Sequence, residues 1–253
     1  MNNEELIKVY QNTKEICVDI PAPDSVKYIG IHYKGEMHSR KTEGNVIVEP
    51  LDTVSALIKY SNRKNTKGFQ KSNAILNNAS SKRPGGGILS GQKAQEESLF
   101  RCSNLFHIPN SFYSILSNEF IYTKEAFFVK DVNYKIINPI QADVITMPAV
   151  NLNKTHIDNL KTQDSIENYE QVMIEKIEKI FDVAAFHLCD NLILGAWGCG
   201  VFKNEPKVVA EFFNKVIEKK RMLFDNIIFA VINDKNSVAN NYEIFLNTIK
   251  TEF

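Results

Sequence analysis

The apolar run at residues 227–232 (IIFAVI) is the feature that most restricts the fold of this chain. Its apolar residues are continuous and do not alternate with polar ones, which is typical of a strand that is covered on both faces. A short strand is also predicted at Asn191–Leu194, and amphipathic helical patterns begin at Ser165 and at Pro206. Strands that alternate with helices in this way favour an α/β fold, with a central sheet between helices.

The rest of the chain carries further patterns of both kinds. Strands are predicted at residues 28–33, Asn45–Glu49, 74–76, 126–129 and 143–147. Helices are predicted at residues 4–10, behind an N-cap at Asp52, at 95–106, at 165–188, behind Pro206 and at 236–249. No linker interrupts these patterns, so we expect one domain over residues 1–253, with residues 1–44 as an N-terminal extension.

Charge and composition exclude several classes of function. The 30 basic and 30 acidic residues give a formal net charge of zero, so the chain as a whole has no electrostatic attraction to nucleic acid or to a membrane surface. No run approaches the roughly 18 apolar residues that span a bilayer, and the first residues lack the pattern of a signal peptide. The cysteines, Cys17, Cys102, Cys189 and Cys199, have neither CxxC nor metal-ligand spacing. We therefore expect a cytoplasmic protein that has no membrane partner and does not bind nucleic acid sequence-specifically.

A loop with three consecutive glycines is the most distinctive segment. The first glycine loop, residues 84–91 (PGGGILSG), ends four residues before Gln95, Glu96 and Glu97, at the start of a predicted helix. Consecutive glycines lose much backbone entropy on ordering, and they suit unusual dihedral angles or the close approach of a ligand. Free N–H groups ahead of a helix can also bind an anion. On the glycines alone, a tight surface turn is an equal alternative, and neither GxxxxGK[ST] nor GxGxxG is present.

The adjacent glutamates have a structural and a catalytic interpretation. Acidic residues in the first turn of a helix are common, because they interact favourably with the helix dipole. In the catalytic interpretation one carboxyl protonates a leaving oxygen while water attacks a sugar carbon. Successive helical residues point about 100° apart, so Glu96 and Glu97 cannot do the same job. A general acid there needs burial or a nearby anion to raise its pKa against the helix dipole.

A second glycine loop, residues 195–202 (GAWGCGVF), lies between the strand Asn191–Leu194 and the helix at Pro206. This order suits phosphate binding by backbone N–H groups, with a purely structural turn as the alternative. Two such loops suggest opposite walls of one diphosphate site. Trp197 is expected in the core. Cys199 is a candidate thiolate nucleophile, but the sequence assigns it no base, so cysteine catalysis is disfavoured.

The spacing of GGG, seven residues and QEE resembles the motif of the poly(ADP-ribose) glycohydrolases. The surrounding text, ASSKRPGGGILSGQKAQEESLFRCSNL, is similar to the bacterial-type branch, and LGAWGCGVF resembles the second ligand loop of that branch. The resemblance implies a macrodomain-like three-layer α/β/α fold with a central mixed sheet. It implies a hydrolase that cleaves ribose–ribose O-glycosidic bonds in poly(ADP-ribose) and releases ADP-ribose, with no cofactor. No metal is implied either, in agreement with five histidines that form no ligand pattern.

The resemblance also implies roles for single residues. Glu97 would donate a proton to the leaving ribose oxygen and then activate water, while Glu96 would bind ribose hydroxyls. The second loop would bind the diphosphate, with the Phe202 ring beside the adenine or its ribose. The implied ligand-binding residues are Gly85, Gly86, Gly87, Gln95, Gly198, Cys199, Gly200, Val201 and Phe202.

Two other functions stay open on the sequence. One is a non-catalytic reader of ADP-ribose, against which the glutamate pair speaks, because a diphosphate gains nothing from nearby carboxylates. The other is a hydrolase that removes ADP-ribose from an amino acid, a nucleobase or a small molecule, since loops 106–124 and 150–164 would form the leaving-group side. Ile88 stands where the family leads us to expect an aromatic or similar residue, which bears on substrate length and site closure.

Overall fold

The computed structural model describes residues 1–29, 44–61, 71–153, 168–233 and 240–252. The chain forms two compact units. Unit 1 comprises Met1–Gly30 and Asp52–Pro148, and unit 2 comprises Ile31–Leu51 and Ala149–Phe253. The expectation of one domain over residues 1–253 stays a prediction.

Strands and helices account for most of the described residues. The strands are β1 (Asp24–Ile29), β2 (Asn45–Glu49), β3 (Asn73–Asn78), β4 (Glu119–Lys130), β5 (Ile136–Met147), β6 (Asn191–Leu194) and β7 (Asn226–Ala230). The α-helices are α1 (Asn3–Ile16), α2 (Thr53–Ser61), α3 (Gln95–Cys102), α4 (Tyr169–Phe186), α5 (Pro206–Lys220) and α6 (Asn241–Thr248). Within these described ranges, no helix is both long and apolar enough to cross a lipid bilayer.

The strands of unit 1 run in the order β1-β4-β5-β3. β1 and β5 pair antiparallel with β4, whereas β3 pairs parallel with β5, which makes the sheet mixed. In the β3–β5 ladder Asn77 lies opposite Thr146, near the carboxyl ends of both strands. The predicted α/β class with a mixed sheet is confirmed.

The strands of unit 2 are parallel and run in the order β6-β7-β2. Every residue of β6 and β7 is buried, as expected for an apolar strand that is covered on both faces. Pro206 occupies the start of α5, as predicted. Residues 154–167 and 234–239 lie outside the described ranges, and so do the predicted beginnings of the helices at 165 and 236.

Several element boundaries differ from the predictions for identifiable reasons. The helix predicted at 95–106 ends at Cys102, because Ser103 bridges to Phe128 and the Asn104 N–H donates to the Phe127 carbonyl of β4 at 3.1 Å. Residues 4–10 are part of the longer α1, which begins with a capping box formed by Asn2 and Glu5. Strand β1 lies at 24–29, and residues 30–33 of the predicted strand are outside the described ranges.

Helix α1, at the start of the chain, packs within unit 1. Leu6, Tyr10 and Thr13 of α1 are buried. The Thr13 hydroxyl donates to the Arg101 carbonyl at 2.5 Å, and Lys130 Nζ donates to the Val9 carbonyl at 3.2 Å and to Thr13 Oγ1 at 3.0 Å. Helix α1 is therefore fixed to α3 and to β4 by buried polar contacts.

Candidate active site

Gln95 attaches the start of α3 to the carboxyl end of β3. Its Oε1 accepts a hydrogen bond from the Asn78 N–H at 2.9 Å, and its Nε2 donates to the Leu76 carbonyl at 2.8 Å and to Thr53 Oγ1 at 3.1 Å. Both ends of the amide are thus used within the protein. Gln95 thereby sets the position of the two glutamates that follow it.

Glu96 is 3% exposed, and the chain supplies donors to both of its carboxylate oxygens. Oε2 accepts from the Ser80 N–H at 2.7 Å, and Oε1 lies 3.5 Å from Asn77 Nδ2. Asn77 Nδ2 also donates to Thr146 Oγ1 at 3.3 Å, which ties the amide to the neighbouring strand. Burial raises the pKa of Glu96 to about 8, with the nearby Glu97 carboxylate as a further cause, although the hydrogen bonds from Ser80 and Asn77 lower it.

Glu97 is 5% exposed, and its two oxygens differ. Oε1 accepts a hydrogen bond from the Gly87 N–H at 2.7 Å. Oε2 is buried and has no hydrogen-bond partner among the described residues. An unpaired buried carboxylate oxygen is costly, and such atoms are concentrated at functional sites. Glu97 therefore offers one oxygen for chemistry while the other is held by the chain.

The first glycine loop wraps around these carboxylates. Gly86 has a φ of +52°, and a Cβ placed on it would lie 2.6 Å from Glu97 Oε1 and 2.9 Å from Glu96 Oε2. The Gly87 N–H binds Glu97, and the Gly86 N–H faces the Arg83 carbonyl at 3.4 Å. These two N–H groups are thus occupied within the chain, which is not the free array expected of an anion-binding loop. The glycines permit the backbone to pass close to the carboxylates.

Buried polar atoms without a hydrogen-bond partner surround the start of α3. Within the described residues they include Asn77 Oδ1, Asn78 Oδ1, Glu97 Oε2 and Tyr113 Oη. The segment that carries Tyr113 is held near the carboxylates because the Ile115 N–H donates to the Ser81 carbonyl at 2.8 Å. Burial raises the pKa of Tyr113, and the Glu96 carboxylate raises it further. This group of donors and acceptors suits the hydroxyls of a sugar.

Ile88 in the first glycine loop and the two basic residues just before it differ in burial. Ile88 is buried, so the residue that departs from the family pattern belongs to the core of unit 1. Lys82 and Arg83 are exposed.

The second glycine loop, in unit 2, is held by its carbonyl groups. Asn204 Nδ2 donates to the Gly198 carbonyl at 3.0 Å, and the Gly200 carbonyl accepts from the Lys203 N–H at 3.1 Å. The Phe202 carbonyl accepts from the Leu152 N–H at 2.8 Å.

Four N–H groups of the same loop lack such partners. No acceptor for the N–H groups of Gly198, Gly200, Val201 and Phe202 is found in the described part of the chain. A Cβ on Gly200 would meet no described atom within 4 Å, so the space beside this backbone is open. Free N–H groups beside open space are what a phosphate-binding loop requires.

The side chains of the second loop have different environments. Trp197 is fully buried, as predicted, whereas Val201 is exposed and Phe202 is half-buried. Cys199 is fully buried, and its N–H donates to the Ala196 carbonyl at 3.1 Å. Burial raises the pKa of the Cys199 thiol, and Glu205 raises it further. A buried, protonated thiol is a poor nucleophile, so the structure gives no support to cysteine catalysis.

Metal ligands were not predicted, and within the described ranges no group of three or more His, Cys, Asp or Glu side chains is placed to hold a metal ion. His32, His38 and His156 lie outside those ranges.

Sequence reasoning missed four residues that organise these two regions: Asn77, Ser80, Tyr113 and Asn204. One signal was available for Asn77, a polar residue at the end of the buried apolar stretch at 74–76. Ser80 acts through its backbone N–H, which no residue type reveals. Tyr113 and Asn204 depend on contacts between segments distant in the chain.

Comparison with known proteins finds a family that matches part of this chain. Residues 6–134 match the family described as microbial-type PARG, catalytic domain. This match runs from within α1 to just beyond β4 and includes the first glycine loop and both glutamates. No curated protein matches the chain in a sequence search.

Solved structures are similar over nearly the whole chain. A poly(ADP-ribose) glycohydrolase from Thermomonospora curvata bound to the inhibitor ADP-HPD has 27% identity and a TM-score of 0.76, over 96% of this chain and 99% of that chain. Another structure of the T. curvata enzyme has 26% identity and a TM-score of 0.76, over 97% and 100%. The Deinococcus radiodurans enzyme in complex with ADP-ribose shares the fold, with 24% identity and a TM-score of 0.74 over 96% of each chain.

Proposed function

The chain belongs to the family of microbial-type PARG catalytic domains, and from this we propose that it is a poly(ADP-ribose) glycohydrolase. It hydrolyses the ribose–ribose O-glycosidic bond and releases ADP-ribose. The T. curvata relative binds ADP-HPD and the D. radiodurans relative binds ADP-ribose, which supports ADP-ribose as the ligand of this chain.

The environment of Glu97 is the observation that carries the proposal. Its Oε1 is held by the Gly87 N–H at 2.7 Å, and its Oε2 is buried without a partner in the described residues. A carboxyl held at one oxygen and free at the other can protonate the leaving ribose oxygen through Oε2. The resulting carboxylate then accepts a proton from the attacking water, so that Glu97 serves as acid and then as base.

Glu96 has a supporting role in this mechanism. Both of its oxygens already accept hydrogen bonds from the chain, which fixes the carboxyl while leaving it able to contact ribose hydroxyls. Because burial raises the pKa of Glu96 to about 8, this carboxyl is largely neutral at pH 7. A neutral Glu96 limits the repulsion that a second charge would exert on the Glu97 carboxylate.

The diphosphate of ADP-ribose is assigned to the second glycine loop. Four of its N–H groups have no acceptor in the described part of unit 2. Backbone N–H groups bind phosphate oxygens without a basic side chain. This mode of binding is consistent with a chain of zero net charge.

The experiment is an assay of free ADP-ribose released from poly(ADP-ribose), with the wild type beside Glu97→Gln. The substituted amide keeps the size of the side chain and an acceptor for the Gly87 N–H, but it cannot transfer the proton. We expect the rate to fall by at least about 100-fold, with the Kd for ADP-ribose within a few-fold of the wild type. Glu4→Gln, in the first turn of α1, makes the same charge change on an exposed side chain and serves as the matched control.

A parallel assay on mono-ADP-ribosylated protein separates the candidate substrates. Release from the polymer alone supports the glycohydrolase, whereas release only from the modified protein favours a mono-ADP-ribosyl hydrolase. Binding of ADP-ribose without release from either substrate would make the chain a reader. An unchanged rate in Glu97→Gln would remove Glu97 from the mechanism.

A further inference from the structure

Asn204 is a buried side chain at the centre of the second glycine loop. It is fully buried, and its Nδ2 donates to the Val150 carbonyl at 2.8 Å and to the Gly198 carbonyl at 3.0 Å. The same nitrogen lies 3.4 Å from the Phe202 carbonyl. One amide group therefore contacts two carbonyl groups of the second glycine loop and the Val150 carbonyl, which lies shortly after the end of β5.

Tyr169 of α4 fixes the orientation of this amide. The Tyr169 hydroxyl donates to Asn204 Oδ1 at 2.7 Å. With Oδ1 engaged by a hydroxyl donor, Nδ2 is directed to the carbonyl groups. Gly198 has a φ of +78°, and a Cβ on it would lie 2.6 Å from Asn204 Nδ2. The glycine is thus required where the backbone lies against the amide.

At Gly198 and Phe202 the carbonyl and the N–H groups differ in their hydrogen bonds. The carbonyl groups of Gly198 and Phe202 accept bonds inside the unit, while the N–H groups of both residues have no acceptor in the described part of the chain. These carbonyls belong to the Gly198–Cys199 and Phe202–Lys203 peptide groups. Holding these two peptide groups restricts the backbone between them, which carries the acceptor-free N–H groups of Gly200, Val201 and Phe202. The Asn204 amide holds both of these carbonyls.

We propose that Asn204, oriented by Tyr169, is a positioning residue that preorganises the second glycine loop to bind the diphosphate of ADP-ribose. This inference rests on the proposed function and adds residues that do not touch the ligand. Without the amide, the Val150 carbonyl loses this donor, and the Gly198 and Phe202 carbonyls keep only the backbone N–H groups of residue 204 and of Leu152. The peptide groups between them are then held less firmly and can rotate. A rotated peptide presents a carbonyl oxygen to the phosphate, which repels it, so preorganisation lowers the cost of binding.

The test compares three variants with the wild type. Asn204→Asp replaces the donor by a carboxylate oxygen that faces carbonyl oxygens, and Asn204→Ala removes the group. Tyr169→Phe is the milder variant, because it removes only the hydroxyl that orients the amide. We expect the Kd for ADP-ribose to rise at least about tenfold in the Asn204 variants and about threefold in Tyr169→Phe, corresponding to the loss of one or more hydrogen bonds.

Asn214 provides a matched control in the same unit. Its Nδ2 donates to the Thr248 carbonyl at 2.8 Å, and its Oδ1 accepts from the Lys250 N–H at 3.0 Å, so it too is a largely buried amide that bridges backbone groups. Asn214→Ala and Asn214→Asp are expected to lower Tm without changing the Kd. Each variant is measured well below its own Tm, by calorimetry with ADP-ribose and with inorganic pyrophosphate as probes.

The kinetic readout distinguishes positioning from general stability. A loop that binds the diphosphate less well raises KM for the polymer more than it lowers kcat, whereas a merely structural residue lowers Tm and leaves both constants of the folded protein unchanged. If the folded variants Asn204→Ala and Tyr169→Phe bind ADP-ribose with the wild-type Kd, the inference about Asn204 is wrong, while the proposed function is unaffected. A wild type that binds no ADP-ribose would overturn the proposed function and the inference together.

Discussion

Replacing Gly86 by alanine perturbs the two carboxylates directly. Gly86 has a φ of +52°, in the left-handed region, and the added Cβ would lie 2.6 Å from Glu97 Oε1 and 2.9 Å from Glu96 Oε2. Neither contact is compatible with van der Waals radii. Since both carboxyls are buried and hydrogen-bonded to the backbone, they cannot swing freely into solvent to relieve it.

Two effects lower the free energy of unfolding of Gly86→Ala. An L-residue in the left-handed region costs about 1–2 kcal/mol, and displacing the Glu97 carboxyl weakens a charge-assisted bond from Gly87 worth roughly 1.5–3 kcal/mol. We therefore expect the free energy of unfolding to fall by about 2.5–5 kcal/mol when both losses apply. A displacement of about 1 Å in a catalytic group can cost about 100-fold in rate, so kcat should fall by at least that factor.

The assay measures urea unfolding and ADP-ribose release on the same samples. Gly44→Ala is the matched control, because Gly44 has a φ of +61° and its Cβ would lie 2.8 Å from the Arg221 carbonyl, in unit 2. Both variants should lose stability, but only Gly86→Ala should lose turnover in the folded protein. If folded Gly86→Ala releases ADP-ribose at the wild-type rate, the carboxylates do not depend on the glycine for their position and the reasoning is refuted.

Three further predictions test single features. Because the pKa of Glu96 is raised to about 8 from 4.5, its contribution to stability is complete below about pH 4.5 and is lost as the pH rises through about 8. The Tm of the wild type should therefore fall more between pH 5 and 9 than that of Glu96→Gln, and parallel curves would contradict this. Cys199→Ser should retain most activity in the ADP-ribose assay, since the thiol is buried and its pKa is raised; loss of all turnover would revive a catalytic thiol. Asp52→Ala should lower the free energy of unfolding in urea by about 0.5–2 kcal/mol, because Asp52 caps α2 through the N–H groups of Val54 and Ser55. Wild-type stability in that variant would show that the cap is dispensable.

Elements with a strong local pattern were predictable. The apolar run at 227–232 and the short stretch Asn191–Leu194 contain buried strands, and Asp52 and Pro206 begin helices, because their signals lie in a few neighbouring residues. The boundaries of β4 and β5 were not predictable. Both strands are 12 residues long, and much of β5 alternates only weakly because its first half is largely exposed. The end of α3 was missed as well, since its termination depends on pairing with β4.

In the candidate site, too, some features were predictable from the sequence and others were not. The spacing between the glycines and Gln95-Glu96-Glu97 identified the candidate catalytic segment, and in the structure Gly86 lies against both carboxylates. The environments of the two glutamates could not be read from the sequence. Their burial, the Ser80 and Gly87 donors and the raised pKa of Glu96 arise from segments that the fold brings together.

The sequence by itself determined the α/β class, the two glycine loops and the pair of glutamates, because each depends on the residue types within one short segment. Only the tertiary structure decided how the loops work. The N–H groups of Gly86 and Gly87 are directed to groups within the chain, whereas four N–H groups of the second loop are free of acceptors in the described residues. The physical reason is that the backbone of a loop is oriented by the hydrogen-bond partners that the tertiary structure brings to it. For the second loop these partners include Asn204, whose amide is directed in turn by Tyr169 of α4.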